Sequence, residues 1–393
     1  MTLYRKIYKI RWLCVVVELL RWGWHKCSAW LVEKTPLWYR FDDKKTRPGV
    51  MEYRITRPLY RHEHVHYDFD RALKAGATVK GFAFIFFMGI GDYLYTTPLW
   101  DSLKKKYPLL PFYAYVGAQM DRTNSPLVGK LLAENPNFEK VFYFDGCRHP
   151  LIWKNYDYKD AFKNIPSGFL AVPVYYDYSL SVPHRVASLF DTFGLAVPEP
   201  LPTPQMYFPS VAAPVVKNLL QTVESKLPGK KGIVFLQLDS RGSNYTYPYI
   251  HELACGLIRE GYVVLSVTRG GPSGETNYVE IDIRQLSINQ TWQMLSMLKA
   301  KHPLYVISVN SVFWAASAGL GLPNLGLQHW IDPKVHNLWY PNIEVVTNYF
   351  YHLLPREKQI MAPADSYTPH NRKIIDYKPQ FILHCFLQKF AEK

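Results

Sequence analysis

The residues best suited to chemistry lie in a short stretch around Asp92. Phe82–Met88 is an uninterrupted apolar run, which predicts a strand buried on both faces of a parallel sheet. Gly89 and Gly91 then permit a tight turn with close backbone approach, and Asp92 stands where a helical pattern begins. Loops at the carboxyl ends of parallel strands are where open α/β sheets bind ligands. Asp92 is either a carboxylate of such a site or a helix N-cap, a role that aspartate fills readily.

The same order of strand, loop and helix recurs in the second half of the chain. Gly232–Leu238 is an apolar strand pattern that leads into the loop DSRGSNYTYP and a helical pattern. A proline-dense stretch between the halves indicates a connector. The predicted segments are an N-terminal extension at 1–79, a first lobe at 80–200, a connector at 201–230, a second lobe at 231–376 and a C-terminal helix at 377–393.

The composition indicates a globular protein whose surface attracts anions. At 393 residues the chain is long for one core, which favours two lobes. Apolar residues make up 48% and the mean hydropathy is -0.15, which excludes a disordered chain and a polytopic membrane protein. A net charge of +14 attracts phosphorylated lipids, sugar nucleotides or nucleic acid. The cysteines have no metal-ligand spacing, so we expect structural thiols, no metal and a reducing cytosol.

The N-terminal extension combines tryptophans with lysines and arginines over residues 1–34. Its longest apolar stretch, Trp12–Leu20, contains Glu18 and is far shorter than the roughly 20 residues that a spanning helix needs. The pattern predicts an amphipathic helix lying in an anionic membrane surface. The alternative is a helix packed on the protein itself or on a second subunit. From Pro36 to Lys80 the sequence is basic and without a sustained period, so we predict an irregular connector there. Within it His62, His64 and His66 alternate, which favours a strand that faces solvent or lipid headgroups over a metal site.

The stretch GIGDYLYTTPLWDSLKKKYP resembles the opening of the ADP-heptose-dependent lipopolysaccharide heptosyltransferases. In that family a strand leads into a small residue and then G-D-x-x-x-T-x-P, a leucine, a basic residue and Y-P. The resemblance continues through YAYVGAQM, LLAENPNFEKVFYFD and VPHRVASLFDTFGL. It covers residues 80–345, strongly at the first motif and diffusely elsewhere.

The resemblance implies an α/β protein of GT-B architecture, with two Rossmann-like lobes facing each other across a cleft. It further implies an inverting, metal-independent transfer of heptose or a related sugar from a nucleotide-diphosphate donor such as ADP-heptose, without a cofactor. The family uses the aspartate of the first motif as general base, so Asp92 would take the proton of the acceptor hydroxyl. The implied acceptor is a phosphorylated glycolipid of the lipopolysaccharide type. Together with the N-terminal extension, this predicts a peripheral protein on the cytoplasmic face of the inner membrane.

The donor loops keep the frame of the family and change its chemistry. Tyr245, Asn310 and Ala315 stand where the family has a lysine, an aspartate and a histidine. Arg241 still offers phosphate a guanidinium fork, and Ser311 heads a predicted helix whose N–H groups can receive an anion. The predicted donor-binding residues are Gly89, Gly91, Ser240, Arg241, Ser243, Glu275, Asn310 and Ser311.

Basic residues supply the predicted acceptor contacts, namely Lys104, Arg148, His184 and Arg185. A lysine run at a helix end is equally consistent with a solvated surface. Two other functions stay open. The same fold could act on a protein or nucleic-acid acceptor, although no nucleic-acid motif supports the latter. Alternatively, the altered donor loops could belong to a non-catalytic scaffold that binds a glycan or a partner.

Overall fold

A computed structural model describes two compact units, with the boundary between Tyr207 and Phe208. The predicted amphipathic helix at 1–34 lies outside the described residues. Among the helices that are described, none is long and apolar enough to cross a membrane. The described residues are 38–40, 52–56, 64–66, 69–74, 79–86, 89–117, 125–144, 164–174, 184–239, 246–282, 285–328, 340–347, 359–361 and 377–391.

The first unit begins with a small antiparallel sheet of order β1-β2-β3. Its strands are β1 (Trp38–Arg40), β2 (Glu52–Thr56) and β3 (His64–His66), and the short helix α1 (Phe69–Lys74) follows. The prediction of an irregular connector is therefore wrong for β1 and β2, whereas the alternation of His62, His64 and His66 indicated the strand at β3. Strands as short as β1 and β2 give too short an alternating pattern to stand out from the basic sequence around them.

The core of the first unit is a parallel sheet of order β6-β5-β4-β7. Its elements are β4 (Gly81–Phe86), α2 (Ile90–Lys106), β5 (Phe112–Gly117), α3 (Ser125–Ala133), β6 (Lys140–Phe144), β7 (Phe169–Pro173) and α4 (Arg185–Thr192). Strand β4 is buried along its whole length, as its apolar run predicts. Aromatic side chains fill the surrounding core: the ring of Phe84 lies 4.9 Å from Trp100 of α2 and 5.1 Å from Phe112 of β5.

Helix α2 contains a proline, and the threonine before it compensates for its missing N–H. Pro98 cannot donate to the carbonyl of Leu94, four residues earlier. The Thr97 hydroxyl donates to that carbonyl instead, at 2.7 Å. The Thr96 hydroxyl accepts the indole N–H of Trp100 at 3.0 Å. Both bonds lie within α2, so they support the helix around Pro98 from inside.

The second unit contains a larger parallel sheet of order β10-β9-β8-β11-β12-β13-β14. Strand β8 is buried along its whole length, as expected for a sheet covered on both faces. The strands are β8 (Gly232–Gln237), β9 (Tyr262–Ser266), β10 (Tyr278–Glu280), β11 (Leu304–Val309), β12 (Asn324–Gln328), β13 (Ile343–Thr347) and β14 (Gln359–Met361). The helices are α5 (Pro214–Glu224), α6 (Ile250–Arg259), α7 (Ile288–Lys299), α8 (Val312–Leu320) and α9 (Pro379–Phe386), and α9 continues as a π-helix at Leu387–Ala391.

Helix α9 packs on α6. The ring of Phe386 lies 5.4 Å from that of Tyr262 and 5.5 Å from that of Tyr305. Cys385 is a free thiol in the same contact, and burial raises its pKa to about 11. Cys385 therefore behaves as a packed apolar side chain.

Both parallel sheets reverse their strand order at one pair of neighbouring strands, β4 and β7 in the first sheet and β8 and β11 in the second. In the first unit the chain passes from β4 to β5 and β6 and then returns to β7 on the other side of β4. In the second unit it passes from β8 to β9 and β10 and returns to β11 on the other side of β8. Such a reversal leaves a crevice outside the carboxyl ends of the two strands at which the order reverses, and open α/β sheets bind ligands there.

Candidate active site

Asp92 lies at the crevice of the first unit, in the first turn of α2. The N-cap of this helix is Gly89, and no side chain caps it. Gly91 is the second residue of the helix, and Asp92 is the third. The side chain of Asp92 is 25% exposed, so part of the carboxylate can meet a ligand. Helix capping is therefore not the role of Asp92, although its charge favours the positive end of the helix dipole.

The partner of Asp92 comes from the other side of the crevice. Nη1 of Arg185, the first residue of α4, donates to Oδ1 of Asp92. A Cβ added at Gly89 would lie 3.5 Å from Oδ2, so the second carboxylate oxygen is directed toward the start of α2. The two oxygens thus have different surroundings: Oδ1 is held by a guanidinium, and Oδ2 lies beside a residue without a side chain.

Tyr95 packs against this ion pair, and His184 packs against Tyr95. The Tyr95 ring lies 5.9 Å from the guanidinium carbon of Arg185, and burial raises the pKa of Tyr95 while the Arg185 charge opposes that rise. The His184 ring meets Tyr95 edge-on at 5.9 Å. Nδ1 of His184 accepts the backbone N–H of Val186 at 3.1 Å, so His184 caps α4. With 1% of its surface exposed, His184 supports the site rather than offering a surface to an acceptor phosphate.

Lys104, another predicted acceptor residue, lies away from this site. Lys104 is in the last turn of α2, about 18 Å from Asp92 along a helix that rises about 1.5 Å per residue. Its Nζ donates to the carbonyl of Leu110 at 2.8 Å, so it is bonded to the loop between α2 and β5. The structure does not bring Lys104 to Asp92. Arg148 lies outside the described residues.

In the second unit, a neutral hydrogen bond spans the crevice between β8 and β11. Ser311 is the N-cap of α8: its hydroxyl oxygen accepts the N–H of Phe313 at 3.2 Å. The same hydroxyl donates to Oε1 of Gln237, the last residue of β8. Asn310, directly before it, is partly exposed. The arrangement fixes the N-terminus of α8 at the crevice, with the positive end of its dipole toward the ligand side.

A carboxylate that sequence reasoning missed lies beside this bond. Asp239 follows β8 and is exposed. Its Oδ1 accepts the hydroxyl of Thr268, from the loop after β9, at 3.2 Å. The Thr268 oxygen also accepts the N–H of Leu238 at 2.7 Å, which ties the two loops together. Gln237 and Asp239 carried a usable signal, since they are the first polar residues after the apolar run of β8.

Of the remaining predicted donor residues of the second unit, the structure describes Glu275. Glu275 is an exposed residue of the turn between β9 and β10, where its N–H donates to the carbonyl of Pro272 at 3.0 Å. Ala315 is fully buried inside α8. The other residues singled out in the β8–α6 loop lie outside the described residues, namely Ser240, Arg241, Ser243 and Tyr245.

The two units, each a parallel sheet with helices and a crevice at its strand reversal, define a GT-B fold. A glycosyl transferase family 9 protein from Veillonella parvula matches with a TM-score of 0.52 over 80% of this chain and 98% of its own, at 12% identity. The E. coli ADP-heptose lipopolysaccharide heptosyltransferase II matches with a TM-score of 0.52 over 79% of this chain and 99% of its own, at 16% identity. The predicted fold is thereby confirmed. A scan against protein-family models and a search of curated proteins found no match.

Proposed function

We propose that this protein is an inverting glycosyltransferase that moves a heptose-type sugar from a nucleotide diphosphate to a hydroxyl of a phosphorylated glycan. The observation that carries the proposal is the part-exposed carboxylate of Asp92 at the strand reversal of the first sheet. The fold shared with the two glycosyltransferases supports it. The E. coli neighbour is an ADP-heptose enzyme, which makes ADP-heptose the first donor to test.

In the proposed step, Asp92 acts as general base without a metal. The O–H bond of the acceptor breaks and its proton passes to Oδ2, while the oxygen forms a bond to the anomeric carbon. The bond from that carbon to the diphosphate breaks, and its electron pair leaves on the diphosphate oxygen. Attack from the face opposite the leaving group inverts the anomeric centre. The N-terminus of α8 and Arg241 stabilise the negative charge on the diphosphate, and Glu275 contacts the nucleoside ribose of the donor.

The test is Asp92→Asn, measured as turnover with the best donor found. The amide oxygen still accepts from Arg185, so we expect a folded variant whose turnover falls by about 10²- to 10⁴-fold, the usual cost of losing a positioned base. Asp101→Asn is the matched control on the same helix. Asn137 donates to Asp101 at 2.7 Å, and the amide oxygen keeps that bond. Near-normal turnover by Asp92→Asn, at an unchanged melting temperature, would contradict the proposal.

A second candidate function is a non-catalytic scaffold that binds a glycan. Asn310 and the buried Ala315 favour it, because these positions lack the acidic and basic side chains of the family. Thermal shifts across a panel of sugar nucleotides separate the two functions, since a ligand that binds only the folded state raises the melting temperature. A shift with a sugar nucleotide supports the enzyme, and no shift with any nucleotide supports the scaffold.

We also propose that residues 1–34 hold the protein on the cytoplasmic face of an anionic membrane, where a glycolipid acceptor would be presented. The support is the pairing of tryptophans with lysines and arginines in this segment.

A further inference from the structure

Arg185 occupies a defined place relative to Asp92. The two residues are 93 positions apart in the sequence and meet because α2 follows β4 and α4 follows β7, the two strands at the reversal of the first sheet. The side chain of Arg185 is 12% exposed, against 25% for Asp92. The ion pair is therefore a part of the crevice wall and not a surface contact.

We propose that Arg185 is a positioning residue: it anchors Oδ1 of Asp92 so that Oδ2 faces the acceptor hydroxyl. This inference rests on the proposed function, in which Asp92 takes the proton. A carboxylate on a free side chain rotates about its last bond, whereas one oxygen bonded to a planar guanidinium fixes the direction of the other. Because a misplacement of about 1 Å can cost about 10²-fold in rate, this orientation matters for turnover.

The surroundings of the guanidinium support this role over a contact with an acceptor phosphate. One of its Nη atoms is engaged with Asp92, and the Tyr95 ring covers it at 5.9 Å. His184 caps the helix that Arg185 begins, so the backbone that carries the guanidinium is fixed as well. A phosphate would have to compete with the Asp92 carboxylate for a cation that is largely buried.

The test is a cycle of substitutions in the full-length protein. Arg185→Gln is made alone and together with Asp92→Asn, and kcat and the acceptor KM are measured. We expect Arg185→Gln alone to lower kcat by about 10- to 100-fold, with the acceptor KM nearly unchanged. In the Asp92→Asn protein it should cause no further loss, because a residue that acts through Asp92 has nothing left to position. Arg185→Lys should recover part of kcat.

A matched control is Lys106→Gln, since Lys106 forms an ion pair of 2.9 Å with Asp70 at the other end of α2. Its kcat should stay at the wild-type value. Two results would overturn the inference. One is an equal loss of kcat from Arg185→Gln in the wild-type and in the Asp92→Asn protein, and the other is a raised acceptor KM at unchanged kcat. Either result would favour binding of an acceptor phosphate by Arg185. If the glutamine variant fails to fold, the lysine variant carries the same cycle. A wild-type protein that transfers no sugar from any donor refutes the proposed function, and the positioning role with it.

Discussion

The two crevices differ in the charges of the side chains that close them. The first joins a carboxylate to a guanidinium, Asp92 to Arg185, whereas the second joins two neutral groups, Ser311 and Gln237. A neutral pair leaves the positive end of the α8 dipole uncompensated, which suits a diphosphate. Asp239 places a negative charge after β8. We therefore expect a diphosphate to approach the α8 side of this crevice.

Ser311→Ala should both destabilise the second unit and weaken donor binding. Removing an N-cap hydroxyl costs about 1 kcal/mol in free energy of unfolding. The change also leaves Oε1 of Gln237 without its donor and disturbs the start of α8. Denaturant unfolding and calorimetry with the sugar nucleotide measure the two effects. Ser311→Thr keeps the hydroxyl and should preserve both properties, and Asp92→Asn should leave donor affinity unchanged. Unaltered affinity in Ser311→Ala would leave Ser311 as a helix cap only.

Among the elements, α2 gives the first motif a structural explanation. Thr97 receives the N–H of Gln205 at 2.6 Å and donates to the carbonyl that Pro98 leaves unpaired. Thr96, the threonine of the motif, accepts the indole N–H of Trp100. The threonine and the proline of the motif therefore belong to the helix, whereas Asp92 lies at the crevice. A motif can therefore indicate a fold even where the chemistry around it has changed.

Thr97→Val tests whether the Thr97 hydroxyl supports α2. Valine has nearly the same shape but no hydroxyl, so the Leu94 carbonyl and the Gln205 N–H both lose a buried partner. Each unsatisfied buried group costs about 1–3 kcal/mol, so we expect a clear fall in the free energy of unfolding. Thr97→Ser keeps the hydroxyl and should lose much less. Equal losses in the two variants, measured by denaturant unfolding, would show that the methyl group and not the hydroxyl supports α2.

Local order was predictable from the sequence, and long-range contacts were not. The run Phe82–Met88, its glycine turn and the helix after it form a local pattern, so β4 and α2 could be predicted. The short strands β1 and β2 were missed. The contact between Asp92 and Arg185 depends on the sheet order β4-β7, which no local pattern encodes. The donor contacts predicted for Glu275 and Asn310 stay predictions.

For the whole molecule, the chain repeats one layout in two units and adds a basic extension. Each unit runs outward from its first strand and returns on the other side, which places one crevice in each. The extension at 1–34 carries seven Lys and Arg against two Glu, a large part of the net charge of +14. Because this positive charge is concentrated in one segment, we expect that segment to be the part of the chain that contacts an anionic surface.

Removing residues 1–34 should therefore lower the affinity for anionic vesicles and leave sugar transfer to a soluble acceptor intact. Basic residues near an anionic surface each contribute about 1 kcal/mol, and their effect falls off within a Debye length, so binding by the full chain should weaken as salt rises. Co-sedimentation with vesicles of anionic and of neutral lipid measures both effects. A full-length variant with these Lys and Arg changed to Gln is the matched control, because it keeps the tryptophans. If the truncated and full-length proteins bind anionic vesicles equally at the same salt, the extension is not the membrane contact, and the alternative of a segment packed on protein stands.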